Sequence, residues 1–285
     1  MFRSRWTRFG LLALAAGAIL VWYAVIAQSR TGLSVYVFDV GQGDSIFIDD
    51  ANGNQILIDG GPDSSVLTRL GEVMPFYDHS IDMLILTHPH ADHVDGLVEV
   101  LKRYQVGQVI ESGAAYPTPA YQEWHRLLTE KHIPVTIARA GARVVFDAIG
   151  ALTILAPLED FKDKSLSHIH DTMLVSRLDY GSASLLLTGD MEASLEKKLI
   201  FYHAPLRADI LKVGHHGSKT SSSDELLAAV SPQAAIISVG KNNRYGHPNQ
   251  EVLDRFASLH IPVYRTDIAG TAKIQSDGGA FMIVK

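Results

Sequence analysis

Thr87-His88-Pro89-His90-Ala91-Asp92-His93-Val94-Asp95-Gly96 is the stretch on which the fold of this chain turns. His88, His90, Asp92 and His93 are all able to bind a metal, and they follow directly on the apolar run Leu84-Ile85-Leu86. In an extended segment, residues two apart point to one side, so His88 and His90 can share an ion. Pro89 supports that conformation, because the residue before proline is held extended and proline fixes its own φ. Asp92 and His93 open a helical pattern continued by Leu97, Val98, Val100 and Leu101. The change of backbone direction there aims them at a second ion, and the helix dipole favours an aspartate at that end. A capped helix with incidental surface histidines is the alternative, and the density of ligand types after a strand argues against it.

Outward from this stretch the chain alternates short strands with helices. LSVYVFDV (33–40), DSIFIDD (44–50) and NQILIDGG (54–61) read as three successive strands with glycine turns at Gly41 to Gly43 and Asn52-Gly53. Further strands are expected near residues 109–110, 135–138, 152–155, 173–178, 185–187, 210–213, 235–239, 263–265, 270–275 and 280–284. Helices are expected at 119–131, 191–202, 223–230 and 250–259. Hairpins mixed with helices make this an α/β domain, though not a purely parallel sheet. No proline- or serine-rich linker divides it and no short repeat is visible, so residues 31–285 read as one domain.

With 47% hydrophobic and 20% charged residues, the 285-residue chain can bury a core, and wholesale disorder is excluded. The absence of cysteine removes disulfides, zinc–thiolate sites, iron–sulfur clusters and a cysteine nucleophile. It leaves the redox compartment open. A net charge of −6 excludes a protein that coats nucleic acid with a basic surface. Residues 10–27, GLLALAAGAILVWYAVIA, carry no charge; Arg3, Arg5 and Arg8 precede them and Arg30 follows. At about 1.5 Å per residue this run nearly spans a hydrocarbon core of about 30 Å. The arginines predict a single-pass anchor (1–30) in the cytoplasmic membrane with the remaining domain outside. A signal peptide cleaved after Val25-Ile26-Ala27, leaving a secreted domain, is the alternative.

His88-x-His90-x-Asp92-His93 resembles the signature of the metallo-β-lactamase superfamily. Phe38-Asp39-Val40-Gly41-Gln42-Gly43-Asp44, Leu57-Ile58-Asp59-Gly60-Gly61, Leu187-Thr188-Gly189-Asp190, Lys212-Val213-Gly214-His215-His216-Gly217-Ser218 and Tyr245-Gly246-His247-Pro248 resemble, more narrowly, the metallohydrolase domain of ComEC-type DNA-uptake proteins. The resemblance runs from about Leu33 to the C-terminus. It implies a four-layer αβ/βα sandwich with two divalent metals at one edge, zinc first and manganese second, and a nuclease acting on incoming DNA. The family's multi-helix channel has no counterpart in this sequence and is expected from another chain.

The resemblance also distributes roles. The superfamily aspartate matching Asp190 bridges both metals; a helix N-cap is the alternative reading. A third ligand for the first metal is expected in His168-Ile169-His170-Asp171, where His170 fits best and His168 remains open. Adjacent side chains diverge, so one of His215 and His216 is expected to bind metal and the other to meet substrate; His215 is the first choice for the metal. The expected ligands are then His88, His90, Asp92, His93, His170, Asp190 and His215. A hydroxide held between two zinc ions would be available near pH 7, and the positive core would favour a phosphodiester. Asp190, Asp92 as proton acceptor and His247 at the phosphate form the expected catalytic set. His216, Ser218, Lys219 and Arg244 are expected to contact substrate, and Lys212 and Lys241 to extend a basic strip. For the loop residues a solvated turn explains the same letters. Thr87 is read as a group that orients a ligating histidine, and Asp59 either as another such group or, equally, as a turn-forming aspartate before Gly60-Gly61. The competing functions are a cell-surface phosphodiesterase acting on an envelope ester and a non-catalytic partner of a DNA-uptake complex.

Overall fold

A computed structural model describes residues 3–26, 32–164 and 168–284. The chain separates into two compact units, residues 1–31 and 32–285. The first contains helix α1 (Arg3–Ile26). Among the described residues no helix is long and apolar enough to cross a membrane. Ala27 and Arg30, on which the expected span and the alternative cleavage site both depend, lie outside the described residues. The helix at the expected position is therefore observed, and the crossing is not.

The second unit contains two sheets. An eight-stranded sheet holds β1 (Leu33–Val37), β2 (Ile46–Asp49), β3 (Gln55–Ile58), β4 (Ser80–Ile85), β5 (Gln105–Glu111), β6 (Val135–Ile137), β14 (Ala272–Ser276) and β15 (Met282–Val284). Its order is β15-β14-β1-β2-β3-β4-β5-β6. A seven-stranded sheet holds β7 (Arg143–Val145), β8 (Gly150–Ala156), β9 (Val175–Tyr180), β10 (Ala183–Leu187), β11 (Ile210–Lys212), β12 (Ala234–Ile237) and β13 (Val263–Arg265), in the order β13 to β7. Each sheet is antiparallel in one part and parallel in the other, with β3 to β6 and β10 to β13 forming the parallel runs.

Three apolar layers explain why the central strands read as continuous hydrophobic runs. Ile56 and Ile58 of β3 meet Leu185 and Leu187 of β10 between the sheets, with Val35, Ile85, Ile154 and Ile236. The alternate residues face outward. Leu57 joins Leu84, Leu97 and Trp124 beneath α2 (Ser65–Val73), α3 (Ala91–Arg103) and α4 (Pro119–Glu130). Leu186 joins Leu211, Leu199, Leu226 and Phe256 beneath α5 (Ala193–Phe201), α6 (Asp224–Val230) and α7 (Gln250–Ser258). The result is helix, sheet, sheet and helix, as expected. Helix α2, the short helix α8 (Thr266–Ala269) and edge strand β7 were not expected. Helix α2 has no side-chain cap and is held by burying Val66 and Leu70, a tertiary effect that local sequence conceals.

Residues that matter chemically follow the carboxyl ends of the parallel strands, where a crevice forms at a sheet edge. Asp59 follows β3, His88 follows β4, Asp190 follows β10 and His216 follows β11. Close backbone contact fixes one of these junctions. A Cβ on Gly96 would lie 1.9 Å from the Gly60 carbonyl oxygen, so α3 can reach the end of β3 only with glycine there. Gly96→Ala is therefore expected to lower stability by about 1–3 kcal/mol in urea unfolding and to weaken metal uptake by displacing His93 from Asp59. A variant as stable and as well metallated as the parent would contradict this account of the junction.

Candidate metal centre

The extended segment through Pro89 carries His88 and His90 off β4, and α3 starts at Ala91. His88 Nε2 lies 3.0 Å from His90 Nδ1. His170, in the 3-10 turn Ile169–Thr172, brings its Nε2 to 3.3 Å from the same His90 nitrogen. These imidazoles form one potential ligand group. His168 is exposed and does not belong to it.

A second group joins Asp92, His93, Asp190 and His216. His93 Nε2 is 3.3 Å from Asp190 Oδ2. His216 Nε2 is 3.4 Å from both Asp190 Oδ1 and Asp92 Oδ2. His215 Nε2 lies 3.9 Å from Asp190 Oδ2, and His215, Asp190 and His170 make a further group. Asp190 thus sits between the clusters, while both neighbouring histidines reach it. Divergence of adjacent side chains fails here because His215 and His216 each adopt a left-handed backbone, with φ of 47° and 53°. That conformation costs about 1–2 kcal/mol per residue, and it turns both rings toward one side.

Each buried imidazole is aimed by the nitrogen facing away from the cluster. His93 Nδ1 donates to Asp59 Oδ2 at 2.7 Å. Asp59 in turn accepts from the Thr87 backbone and hydroxyl at 2.8 and 2.6 Å. His216 Nδ1 donates to the Ser238 carbonyl at 2.9 Å. Such outer contacts fix ring orientation at a metal site. They leave His93 Nε2, His216 Nε2 and Asp190 Oδ1 buried together without a hydrogen-bond partner. Orphaned buried polar atoms are costly, and a divalent cation satisfies all three. The histidine and aspartate clusters therefore suit a dimetal site.

Electrostatics point the same way. Burial pushes His88 well below the ordinary histidine value, and holds His90 down at about 4, with His170 adding to the effect. Burial also opposes charge on His216, but Asp190, Asp92 and Asp44 outweigh it and hold the ring up at about 10. His93 is likewise raised, against burial, by Asp190, Asp59 and Asp92. Asp92 is lowered to about 2 by His93 and His216 despite its own burial.

The expected substrate residues divide. Lys219 and Arg244 are exposed, with Arg244 over the Tyr245 ring at 5.2 Å. His247 stands 5.8 Å, ring to ring, from His215. Ser218 is buried, with its hydroxyl 3.0 Å from that of Thr220. Ser223 caps α6 and, with the Ser222 backbone, binds Glu196, so the serine run 221–223 is structural. Lys212 departs most from expectation. It is fully buried, ion-paired with Asp44 and donates to the Gly189 carbonyl at 3.2 Å, which removes it from any basic strip. Sequence reading missed Glu192, whose Oε1 is 3.2 Å from His215 Nδ1 and whose Oε2 is 3.6 Å from His170 Nδ1. Its place two residues after Asp190, at the start of α5, was the available signal.

The family model described as the metallo-beta-lactamase superfamily matches residues 38–241. The chain belongs to that superfamily. It is 32% identical to ComE operon protein 3 of Bacillus subtilis over 83% of its length and 32% of that protein. Identity is also 32% to Recombination protein 2 of Haemophilus influenzae (94% of this chain, 32% of that protein) and 31% to competence protein ComA of Neisseria gonorrhoeae (88% and 33%). The resemblance to a ComEC-type domain is thus borne out, and the chain spans about a third of the length of these curated relatives. Among solved structures, CmlA, a diiron beta-hydroxylase from Streptomyces venezuelae, matches with a TM-score of 0.56 at 15% identity, covering 87% of this chain and 54% of that one. Zn(2+)-bound PqqB from Methylobacterium extorquens matches at 0.51 and 12%, covering 79% and 85%. At these identities the likeness is one of fold.

Without a cation beside them, His93 and His216 hold protons at neutral pH, and a metal must displace those protons. Calorimetry in buffers of different ionisation enthalpy should therefore show proton release on metal binding at pH 7. Apparent affinity should rise between pH 6 and pH 9, on the approach to the His216 value of about 10. Affinity that falls with pH over that range would refute these protonation states.

Proposed function

We propose that this domain is a metal-dependent phosphodiesterase acting on DNA outside the cytoplasmic membrane. The observation that carries the reading is two adjoining ligand groups, His88 with His90 and His170, and Asp92 with His93, Asp190 and His216, joined where His88 Nε2 lies 3.9 Å from Asp190 Oδ2. The similarity to proteins named for competence and recombination supports DNA as the substrate. On this reading His88, His90 and His170 hold one ion and Asp92, His93 and His216 the other, with Asp190 common to both. His216 replaces His215 as the ligand because its Nε2 stands with Asp92 and His93. The nitrogen and oxygen donors and the absence of thiolate suit zinc, with manganese second. When bound, such ions lower the pKa of water to about 7 and neutralise charge on phosphoryl oxygens.

The chain's own residues handle the remaining tasks. Asp59 and the Ser238 carbonyl keep His93 and His216 aimed inward. Asp92, held at about 2, is a poor proton acceptor, so proton transfer falls to His215 and His247. Burial lowers both histidines, and each is neutral at pH 7 and partly open to solvent. Lys219 and Arg244 supply exposed positive charge for the strand. Residues 10–27 tether the domain to the membrane, and another chain supplies the DNA-uptake channel. The net charge of −6 favours a second reading, a small envelope phosphodiester as substrate.

The metallated full-length chain should hydrolyse bis-p-nitrophenyl phosphate and single-stranded DNA but not nitrocefin. Asp190→Ala should lower both activities by about 10²–10³-fold, with the far-ultraviolet dichroism unchanged. His247→Ala should lower them partially, and Lys219→Ala or Arg244→Ala should chiefly weaken DNA binding and flatten its salt dependence. Efficient hydrolysis of the small ester with none of DNA would replace the nuclease reading by the envelope esterase. Protease added outside intact cells or spheroplasts should digest the domain; protection of a demonstrably accessible protein would reject the topology.

A further inference from the structure

A cavity of about 650 Å³ opens one strand away from the metal centre, a size within the roughly 300–1,000 Å³ usual for small-ligand sites. Its lining includes Glu111, Tyr116, Tyr121, His125, Val135 and Ile137. Its position follows from the sheet. β4 runs into the segment bearing His88 and His90, and β5 is its parallel neighbour, with Ile85 opposite Ile110. Glu111 ends β5, and β6, bearing Val135 and Ile137, is the next strand out. Cavity and metal ligands thus occupy the same carboxyl edge. Tyr116 joins them, because it lines the cavity while its ring lies 5.4 Å from that of His90, tilted by 58°.

The lining has a chemical bias. Glu111 is 2% exposed, and its Oε2 accepts from the Trp124 indole at 2.9 Å. Tyr121 also hydrogen-bonds it, while His125 Nε2 stands 3.5 Å from Oε1. A carboxylate can accept about four hydrogen bonds, so Glu111 retains capacity for donors arriving through the cavity. Exposed Lys162 and Asp163 give the rim both signs of charge, while the buried Glu111 carboxylate disfavours an anion at the inner end. Flat aromatic faces, two aliphatic side chains and an acceptor match a planar, weakly polar ring that carries N–H groups.

We propose that this cavity is a subsite for one unstacked nucleobase of a single strand whose phosphodiester lies at the metal centre. Tyr116 or His125 stacks on the base, and Glu111 accepts from its amino group. The substrate assignment rests on the phosphodiesterase reading. It also accounts for how a domain of net negative charge can engage nucleic acid, because stacking does not require a basic surface.

The test uses the full-length chain with two measurements. In the first, a single-stranded trinucleotide containing 2-aminopurine is titrated and its fluorescence followed; stacking quenches it. In the second, kcat/KM is compared for the p-nitrophenyl ester of deoxyguanosine 5′-phosphate and for bis-p-nitrophenyl phosphate, which has no base. Val135→Trp fills the cavity from an exposed edge strand and spares the ligands. It should weaken trinucleotide binding and lower kcat/KM for the nucleotide ester by about 10-fold each, in line with the stacking energy of one base. Hydrolysis of the base-free ester should stay within about twofold of the parent by the same reasoning. Glu111→Gln should reduce the preference for guanine over thymine esters. Unquenched aminopurine with the parent protein, or equal loss on both esters in Val135→Trp, would overturn the subsite. Failure of the parent to hydrolyse either ester would defeat the phosphodiesterase reading alone, and quenching would still decide whether the cavity takes a base.

Discussion

The Asp190 carboxylate is the constraint around which the rest is arranged. It is buried at the end of β10 and faces imidazoles of His93, His215 and His216 within 3.9 Å, with His88 Nε2 at the same limit. A lone ionised carboxylate in such surroundings would carry a large desolvation penalty. It is tolerated because positive charge surrounds it, from protons on His93 and His216 or from bound ions. The two sheets supply these imidazoles from opposite sides, His88 and protonated His93 from the first and His215 and protonated His216 from the second. The packing of one sheet on the other is therefore also what assembles the centre.

Much of this was legible in the sequence because strong local patterns coincide with tertiary demands. Ile56-Leu57-Ile58 and Leu185-Leu186-Leu187 announce strands covered on both faces, and His88-Pro89-His90 announces an extended pair of ligands. His170, expected as a third ligand through the family resemblance, stands beside His90, its Nε2 3.3 Å from His90 Nδ1. What escaped was set by geometry that letters do not encode. The left-handed turn at His215-His216 brings both rings to Asp190, where a simple alternation of side chains would separate them. Lys212 looked like surface charge, since no local pattern distinguishes a lysine aimed inward at Asp44. Ser218, expected at the substrate with a solvated turn as the alternative, has its hydroxyl 3.0 Å from that of Thr220, a contact that local sequence does not announce.

The fold alone leaves the chemistry open. A protein described as a diiron beta-hydroxylase shares the architecture at a TM-score of 0.56, so reaction class must be argued from side chains. In this chain the distinguishing features are nitrogen and oxygen ligands, aimed by Asp59 and the Ser238 carbonyl, and a cavity lined by Tyr116 at the same edge. Consecutive left-handed histidines add to these, since strain of that kind persists where the surroundings over-determine it. Here the Gly189 carbonyl accepts from the His215 backbone at 3.1 Å, while Ser238 holds the His216 ring.

The buried pair of Lys212 and Asp44 has a consequence for how this protein can change over generations. Asp44 lies between β1 and β2 of the first sheet and Lys212 on β11 of the second, 168 positions apart in sequence. Loss of Asp44 strands the Lys212 charge in the interior, at a cost of about 3–5 kcal/mol, and loss of Lys212 leaves Asp44 facing only the His216 ring at 3.5 Å, whereas replacing both by apolar groups can be nearly neutral. A lineage that leaves this pair one substitution at a time passes through an intermediate destabilised by such an amount. The two halves of the sandwich are therefore coupled in their history at this point, and recombination that exchanged one half for a distant relative's would be penalised wherever it left one charge of the pair without the other.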